Sequence, residues 1–235
     1  MKLRPSVVLA SGQLLTAECW APQIAALSPD YDLRIADHGR DETIAGMAER
    51  LLAEAPDRFD LVAHAMGGFI AFEVMRRAPE RVRSLALLAT LASADGPAQT
   101  ERRQGYIRLV EAGRFAEVAE DRIPILVHPA RREDEPLLAA VRRMALATGP
   151  ERFLRQQRAI MGRIDSRPGL AAITAPTLLL RGAADGITTQ AHQDEMLAAL
   201  PNAVFETVPD AGHVLTLERP QAVSARLAAW LASQS

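Results

Sequence analysis

Six short runs rich in β-branched residues and leucine recur along the chain: Ser6–Ala10, Leu33–Ala36, Phe59–Ala63, Ser84–Ala89, Thr177–Arg181 and Val204–Val208. Several are almost wholly apolar, as strands covered on both faces must be. Helical patterns fall around residues 20–28, 42–55, 67–78, 189–200 and 219–232; in the second, Ile44, Met47, Ala48, Leu51 and Leu52 repeat at helical spacing. Strand alternating with helix implies a parallel sheet with right-handed crossovers. The 235 residues, 49% of them hydrophobic, are enough for one large α/β domain with a substantial core.

The alternation stops after Ala89. From about Ser93 to Pro168 no strand pattern appears, and amphipathic segments such as "TERRQGYIRLVEAG", "DEPLLAAVRRMALATG" and "PERFLRQQRAIMG" follow one another, punctuated by glycine and proline. The expected organisation is a core of residues 1–92 and 169–235, with a helical lid over 93–168 inserted after the fourth strand. Residues 101–168 hold 14 Arg against 10 Asp and Glu. Solvated helix faces account for such an excess; a preference for anionic substrates is the other reading.

The run "LVAHAMGG" has the outline of a strand turning sharply into a helix. A nucleophile elbow needs an apolar strand end, a strained apex, and small residues two before and two after it. Phe59-Asp60-Leu61-Val62 supplies the strand, Ala63 and Gly67 the small flanks, and Gly68 a close helix contact. At the apex stands Ala65, which has no nucleophilic atom. Two later positions fall in the order nucleophile, acid, histidine: Asp185 in "GAADGITTQ" after Thr177–Arg181, and His213 in "PDAGHVLTLERP" after the last strand. Reactive groups of parallel α/β sheets gather at such carboxyl strand ends. The chemistry uses the histidine as base and the acid to orient it and stabilise the imidazolium. Backbone amides complete the site as an oxyanion hole, expected from Met66 and from Gln13 in the loop after the first strand.

These pieces together resemble the α/β-hydrolase superfamily, and the likeness spans essentially the whole chain. Nearest in style are compact lidded bacterial carboxylesterases of the pimeloyl methyl-ester esterase and 3-oxoadipate enol-lactone hydrolase type. Where such proteins read "HG-x…W", "GHSMGG", "GxxD" and "GH…E-P", this chain reads "SGQ…W", "AHAMGG", "GAAD" and "GHVLTLERP". The resemblance implies a reduced fold of about six mostly parallel strands flanked by helices, and acyl transfer from a small ester or lactone to water without a cofactor. It also exposes departures. Ser11 stands where the family has histidine, and Asp37-His38-Gly39 reads as a surface loop. The usual antiparallel hairpin before the first parallel strand is not expected.

Ala65 excludes a covalent acyl-enzyme at that position. Loss of a triad serine costs about 10⁶ in turnover, or about 8–9 kcal/mol of barrier. Two explanations follow: an inactivated variant whose nucleophilic serine has been replaced by alanine, or a natural protein without a nucleophile. The latter would be a ligand-binding module or an enzyme using His213 and Asp185 as a general base. Pocket walls are expected from Leu14, Met66, Met144, Met161 and Val214. His128 in the insertion reads as a helix terminus.

Other classes find little support. The net charge of −2 gives no electrostatic reason to expect nucleic acid. Gly12 alone follows the first strand, where a dinucleotide site would need three glycines, and no Gly-Lys-Ser/Thr follows. No His-x-x-x-His or Cys-x-x-Cys suggests a metal site. The lone Cys19 cannot form an internal disulfide. Lys2 and Arg4 precede an apolar run too short for a signal peptide, and no 18-residue apolar stretch occurs. The expectation is a cytoplasmic protein; its oligomeric state is not readable.

Overall fold

The computed structural model describes residues 4–234; Lys2 lies outside them. Six strands form one sheet in the order β2-β1-β3-β4-β5-β6, every neighbouring pair parallel. They are β1 (Ser6–Ala10), β2 (Asp32–Ile35), β3 (Phe59–His64), β4 (Val82–Leu88), β5 (Thr177–Gly182) and β6 (Ala203–Val208). Helices α1 (Ala21–Leu27), α2 (Ile44–Glu54), α3 (Met66–Arg77), α7 (Gln190–Ala199), α8 (Leu215–Glu218) and α9 (Pro220–Ala232) flank the sheet.

Alternation along β1 shows how the strands are covered. Val7 and Leu9 enter a cluster with Trp20, Leu27, Leu227 and Trp230, whereas Val8 and Ala10 enter another with Met47, Leu51, Ile70 and Val74. Side chains two apart share a face, so each central strand carries apolar residues on both faces and belongs to two cores. Ile44, Met47, Ala48 and Leu51 form the buried stripe of α2, and Thr43 caps that helix by accepting the Gly46 N–H at 3.0 Å.

Between β4 and β5 the chain forms α4 (Pro97–Glu111), α5 (Phe115–Leu126) and α6 (Glu135–Met161). The two sequence patterns on either side of Gly149-Pro150 form the two arms of α6, which meet at Gly149 with φ 74° and ψ 164°. Glycine adopts this backbone without a Cβ clash, and a proline at the start of the second arm needs no amide partner.

One reading is corrected. Asp37-His38-Gly39 is not a surface loop: His38 is buried, and a Cβ on Gly39 would lie 2.3 Å from Arg152 Nε. Arg155 Nε also donates to the Gly39 carbonyl at 2.9 Å. The loop is covered by α6, more than a hundred residues away in sequence, so its local polarity says nothing of its burial. Among the described residues, no helix is long and apolar enough to cross a membrane.

Candidate active site

The turn from β3 into α3 has its apex at Ala65, with φ 50° and ψ −112°. Alanine rarely occupies this region, and the strain costs about 1–3 kcal/mol. The surroundings hold it there. The Ala65 N–H donates to the Leu88 carbonyl at 2.9 Å, and the Ala65 carbonyl accepts from Gly68 N–H (2.9 Å) and Thr90 Oγ1 (2.8 Å). The flanking glycines permit contacts no side chain would. A Cβ on Gly67 would stand 2.2 Å from the Ala10 carbonyl oxygen, and one on Gly68 2.2 Å from Thr90 Oγ1. Met66 opens α3, so its N–H has no acceptor within the helix.

The loop after β1 approaches the apex closely. A Cβ on Gly12 would be 3.1 Å from Ala65 Cβ and 3.0 Å from His64 Nδ1. Gln13 and Leu14 form the turn that follows, Leu14 with φ 61°. Ser11 Oγ accepts from Trp20 Nε1 at 3.0 Å and from the Cys19 thiol at 3.7 Å. The serine that replaces the family's histidine thus anchors the tryptophan of the same motif. Burial pushes the Cys19 thiol up to about 12, which leaves it an unreactive packing group.

Asp185 and His213 arrive from the ends of β5 and β6. His213 Nδ1 lies 3.1 and 3.0 Å from the two Asp185 carboxylate oxygens. Asp185 also accepts from Ile187 N–H (2.8 Å), Thr188 N–H (3.1 Å) and the Thr188 hydroxyl. Burial alone would raise its pKa, but His213 and these donors hold it well below the usual carboxylate range. The acid is therefore ionised, and it occupies Nδ1 so that Nε2 is the histidine nitrogen left for chemistry. Arg181 fixes the acid loop by donating to the carbonyls of Thr188 (2.6 Å) and Asp185 (3.0 Å).

The His213 loop is fixed from two directions. Glu218 accepts from Gly212 N–H at 2.8 Å and His128 N–H at 2.6 Å. The Leu126 carbonyl at the end of α5 accepts from His213 N–H (2.9 Å) and Val214 N–H (3.1 Å). His128 follows α5 and caps a short 3₁₀ turn, accepting from Ala130 N–H at 3.1 Å. His64 Nε2 reaches the His213 carbonyl at 2.7 Å, and the two rings are 5.3 Å apart between centroids.

The expected pocket walls are distributed differently from one another. Leu14 is buried with Val110, Phe115, Val118 and Phe153. Met144 and Val214 are fully buried in the core on the Trp20 side of the sheet, and Met161 ends α6, partly buried. Sequence reasoning missed Gln156 and Gln157 on α6. Gln156 Oε1 accepts the Leu14 N–H at 3.3 Å, and Gln157 Oε1 accepts from Arg103 at 3.0 Å. The available signal was two adjacent glutamines on a helix whose neighbours at three- and four-residue spacing, Phe153 and Ile160, are apolar. A separate groove of about 660 Å³, lined by Ile44, Phe69, Phe72 and Ile164, runs along the outer side of α3 and includes none of these residues. Among the described residues, no group of His, Cys, Asp and Glu is placed to hold a metal ion.

A strained apex between β3 and α3, an aspartate after β5 and a histidine after β6 stand together at the carboxyl ends of one parallel α/β sheet. The chain belongs to the alpha/beta hydrolase family, whose sequence profile matches residues 7–226. It is 27% identical to a pimeloyl-[acyl-carrier protein] methyl ester esterase of Pectobacterium carotovorum over 95% of this chain and 93% of that protein. A thermophilic esterase from Thermogutta terrifontis, solved with malate bound, superposes with a TM-score of 0.91 at 26% identity, covering 99% of this chain and 91% of that one. The enol-lactonase from Burkholderia xenovorans shares the fold with a TM-score of 0.88 at 24% identity, over 97% and 92% of the two chains.

Proposed function

We propose that this chain is a carboxylic ester hydrolase of the serine type with its nucleophile replaced by Ala65, so that it binds ester or lactone substrates and scarcely turns them over. The observation that carries this reading is the apex itself. Ala65 is held at φ 50° and ψ −112° by three hydrogen bonds and two glycine contacts, beside an intact Asp185–His213 pair. A strained backbone is maintained where chemistry requires a side chain to project over the sheet.

With serine at position 65, its hydroxyl oxygen attacks the ester carbonyl while His213 Nε2 takes the proton. The imidazolium, stabilised by Asp185, returns that proton to the departing alkoxide. Water then attacks the acyl-serine by the same route and releases the acid. The developing oxyanion is assigned to the amides of Gln13 and Met66, which flank the apex from two loops. Residues 93–168 act as the lid over this site, and the protein works in the cytoplasm.

The test is Ala65→Ser, assayed on p-nitrophenyl acetate, p-nitrophenyl butyrate and butyrolactone. A gain of several orders of magnitude over the chain as given supports the reading. No gain refutes it and leaves the nucleophile-free alternative, in which His213 and Asp185 serve as a general base or the site only binds.

A further inference from the structure

The turn over Gly12–Leu15 has a backbone that its sequence does not favour. Leu15 N–H donates to the Gly12 carbonyl at 3.4 Å, and of the two central residues only Leu14 has a positive φ, 61°. A positive φ at the third position alone is the pattern of a type II turn, where glycine or asparagine is the usual residue. Leucine prefers the negative φ of a type I turn, and the two forms interconvert by a flip of the peptide between the second and third positions. Here that peptide joins Gln13 to Leu14, and the N–H it carries is that of Leu14.

The Leu14 amide is held from outside the loop. It donates at 3.3 Å to Oε1 of Gln156, 142 residues further along the chain. Gln156 lies on the second arm of α6, and that arm is seated against the loops after β1 and β2. Phe153, three residues before Gln156, is buried in the same apolar cluster as the Leu14 side chain. Arg155 Nε donates to the Gly39 carbonyl at 2.9 Å, and Arg152 pairs with Asp37 at 3.5 Å. The acceptor that meets Leu14 is thus mounted on a docked helix.

Gln156 contributes little else at its place. It is 1% exposed, its Nε2 has no partner, and the Leu14 N–H is the one hydrogen bond its side chain makes among the described residues. A buried donor without an acceptor weighs against stability, and an apolar side chain of the same shape would avoid it. What distinguishes the glutamine from such a residue is the oxygen it brings to Leu14. Gln157, beside it and as deeply buried, gives its Oε1 to Arg103 at 3.0 Å instead.

The turn lies against the apex. A Cβ on Gly12 would be 3.1 Å from Ala65 Cβ. Leu15 N–H closes the turn and Leu14 N–H is held by Gln156, so the central amide left to meet an oxyanion is that of Gln13. A backbone donor assists the reaction only if it is aimed beforehand at the developing charge. A turn free to exchange between its two forms presents Gln13 in register for only part of the time.

We infer that Gln156 is a positioning residue for ester hydrolysis: it holds the Leu14 N–H, keeps the Gly12–Leu15 turn in its type II form, and so aims the Gln13 amide over position 65. This rests on the ester-hydrolase reading of the Ala65 site and adds to it a residue from the inserted helices.

The kinetic test is made in the Ala65→Ser protein with p-nitrophenyl butyrate. Gln156→Met keeps the shape and removes the acceptor. It should lower kcat about ten- to a hundredfold, part of the effect of losing an oxyanion donor, while KM stays within about threefold. Gln156→Glu keeps an acceptor and should recover most of that kcat. Gln157→Met, with the same burial but no bond to the turn, should hold kcat within about threefold. In the chain as given, NMR hydrogen exchange should find the Leu14 amide protected, and Gln156→Met should speed its exchange by about tenfold or more. Should Gln156→Met lose its cooperative melting transition, Gln156→Asn, too short to reach Leu14, takes its place with the same expected loss. The inference is overturned by a kcat that Gln156→Met leaves unmoved, by equal losses in Gln156→Glu or Gln157→Met, or by unchanged Leu14 exchange. An inactive Ala65→Ser protein in which Leu14 exchange still depends on Gln156 would count against the hydrolase reading alone.

Discussion

His64 Nε2 donates to the carbonyl oxygen of His213 across 2.7 Å, so the residue before the turn apex is bonded to the main chain of the histidine that follows β6. A carbonyl only accepts, so Nε2 carries the proton, and Nδ1 is a buried lone pair without a partner. Burial depresses the His64 pKa to about 3. A neutral His64 places no positive charge beside His213.

Stability should fall as the solution is acidified. Burial also lowers His38 to about 4, so two histidines have folded pKa values beneath the ordinary 6.5. The unfolded chain takes up these protons first. The stabilisation is therefore full above about 6.5 and is lost as pH drops towards the folded values, at about 1.4 kcal/mol per pH unit for each histidine. Urea unfolding at several pH values checks this, and His38→Gln with His64→Gln should flatten the slope.

Relief of the apex strain should be measurable. Ala65→Gly removes the Cβ that disfavours φ 50°. We expect an increase in stability of about 1 kcal/mol, after glycine's own entropic cost. An unchanged or lower melting temperature would show that the apex is not strained.

Gly67→Ala should act in the opposite direction. Its Cβ would stand 2.2 Å from the Ala10 backbone oxygen, which cannot rotate aside. Separation of β1 from α3 costs about 2–4 kcal/mol, read from urea midpoints. Gly169→Ala, with nothing within 4 Å, is the control and should be near neutral.

In the Ala65→Ser protein, Asp185→Asn should cut kcat by about 10⁴, the order seen when a triad aspartate becomes asparagine. The amide cannot orient Nδ1–H as the carboxylate does, and it leaves the Thr188 and Ile187 donors poorly matched. The readout is steady-state kinetics on p-nitrophenyl butyrate; a loss under tenfold would mean that His213 does not depend on Asp185.

Much of the fold was legible because apolar strands covered on both faces form continuous runs. β1 was read with its observed ends, and the other strands differ from their expected bounds by one or two residues. The positions of Ala65, Asp185 and His213 after β3, β5 and β6 were legible for a related reason. Each follows a strand directly, so its place in the chain fixes its place over the sheet. What failed was whatever depends on contacts distant in sequence. The burial of His38 comes from Arg152 and Arg155. An apolar side chain such as Met144 or Val214 looks the same whether it faces a pocket or a core. Gln156 and Gln157 carry their meaning through Leu14 and Arg103, which no local pattern reveals.

The Leu126 carbonyl, accepting two amides of the His213 loop, has a consequence for anyone recombining such proteins. The inserted helices are not an exchangeable cover that can be grafted from one relative to another while the catalytic half stays as it was. The last turn of α5, in the middle of the insertion, holds the main chain of the His213 loop. A chimera that imports a new insertion must also import a helix end able to receive the His213 and Val214 amides. Without it, the main chain at His213 loses the acceptor of two amides, and only the side-chain contact with Asp185 is left as it was.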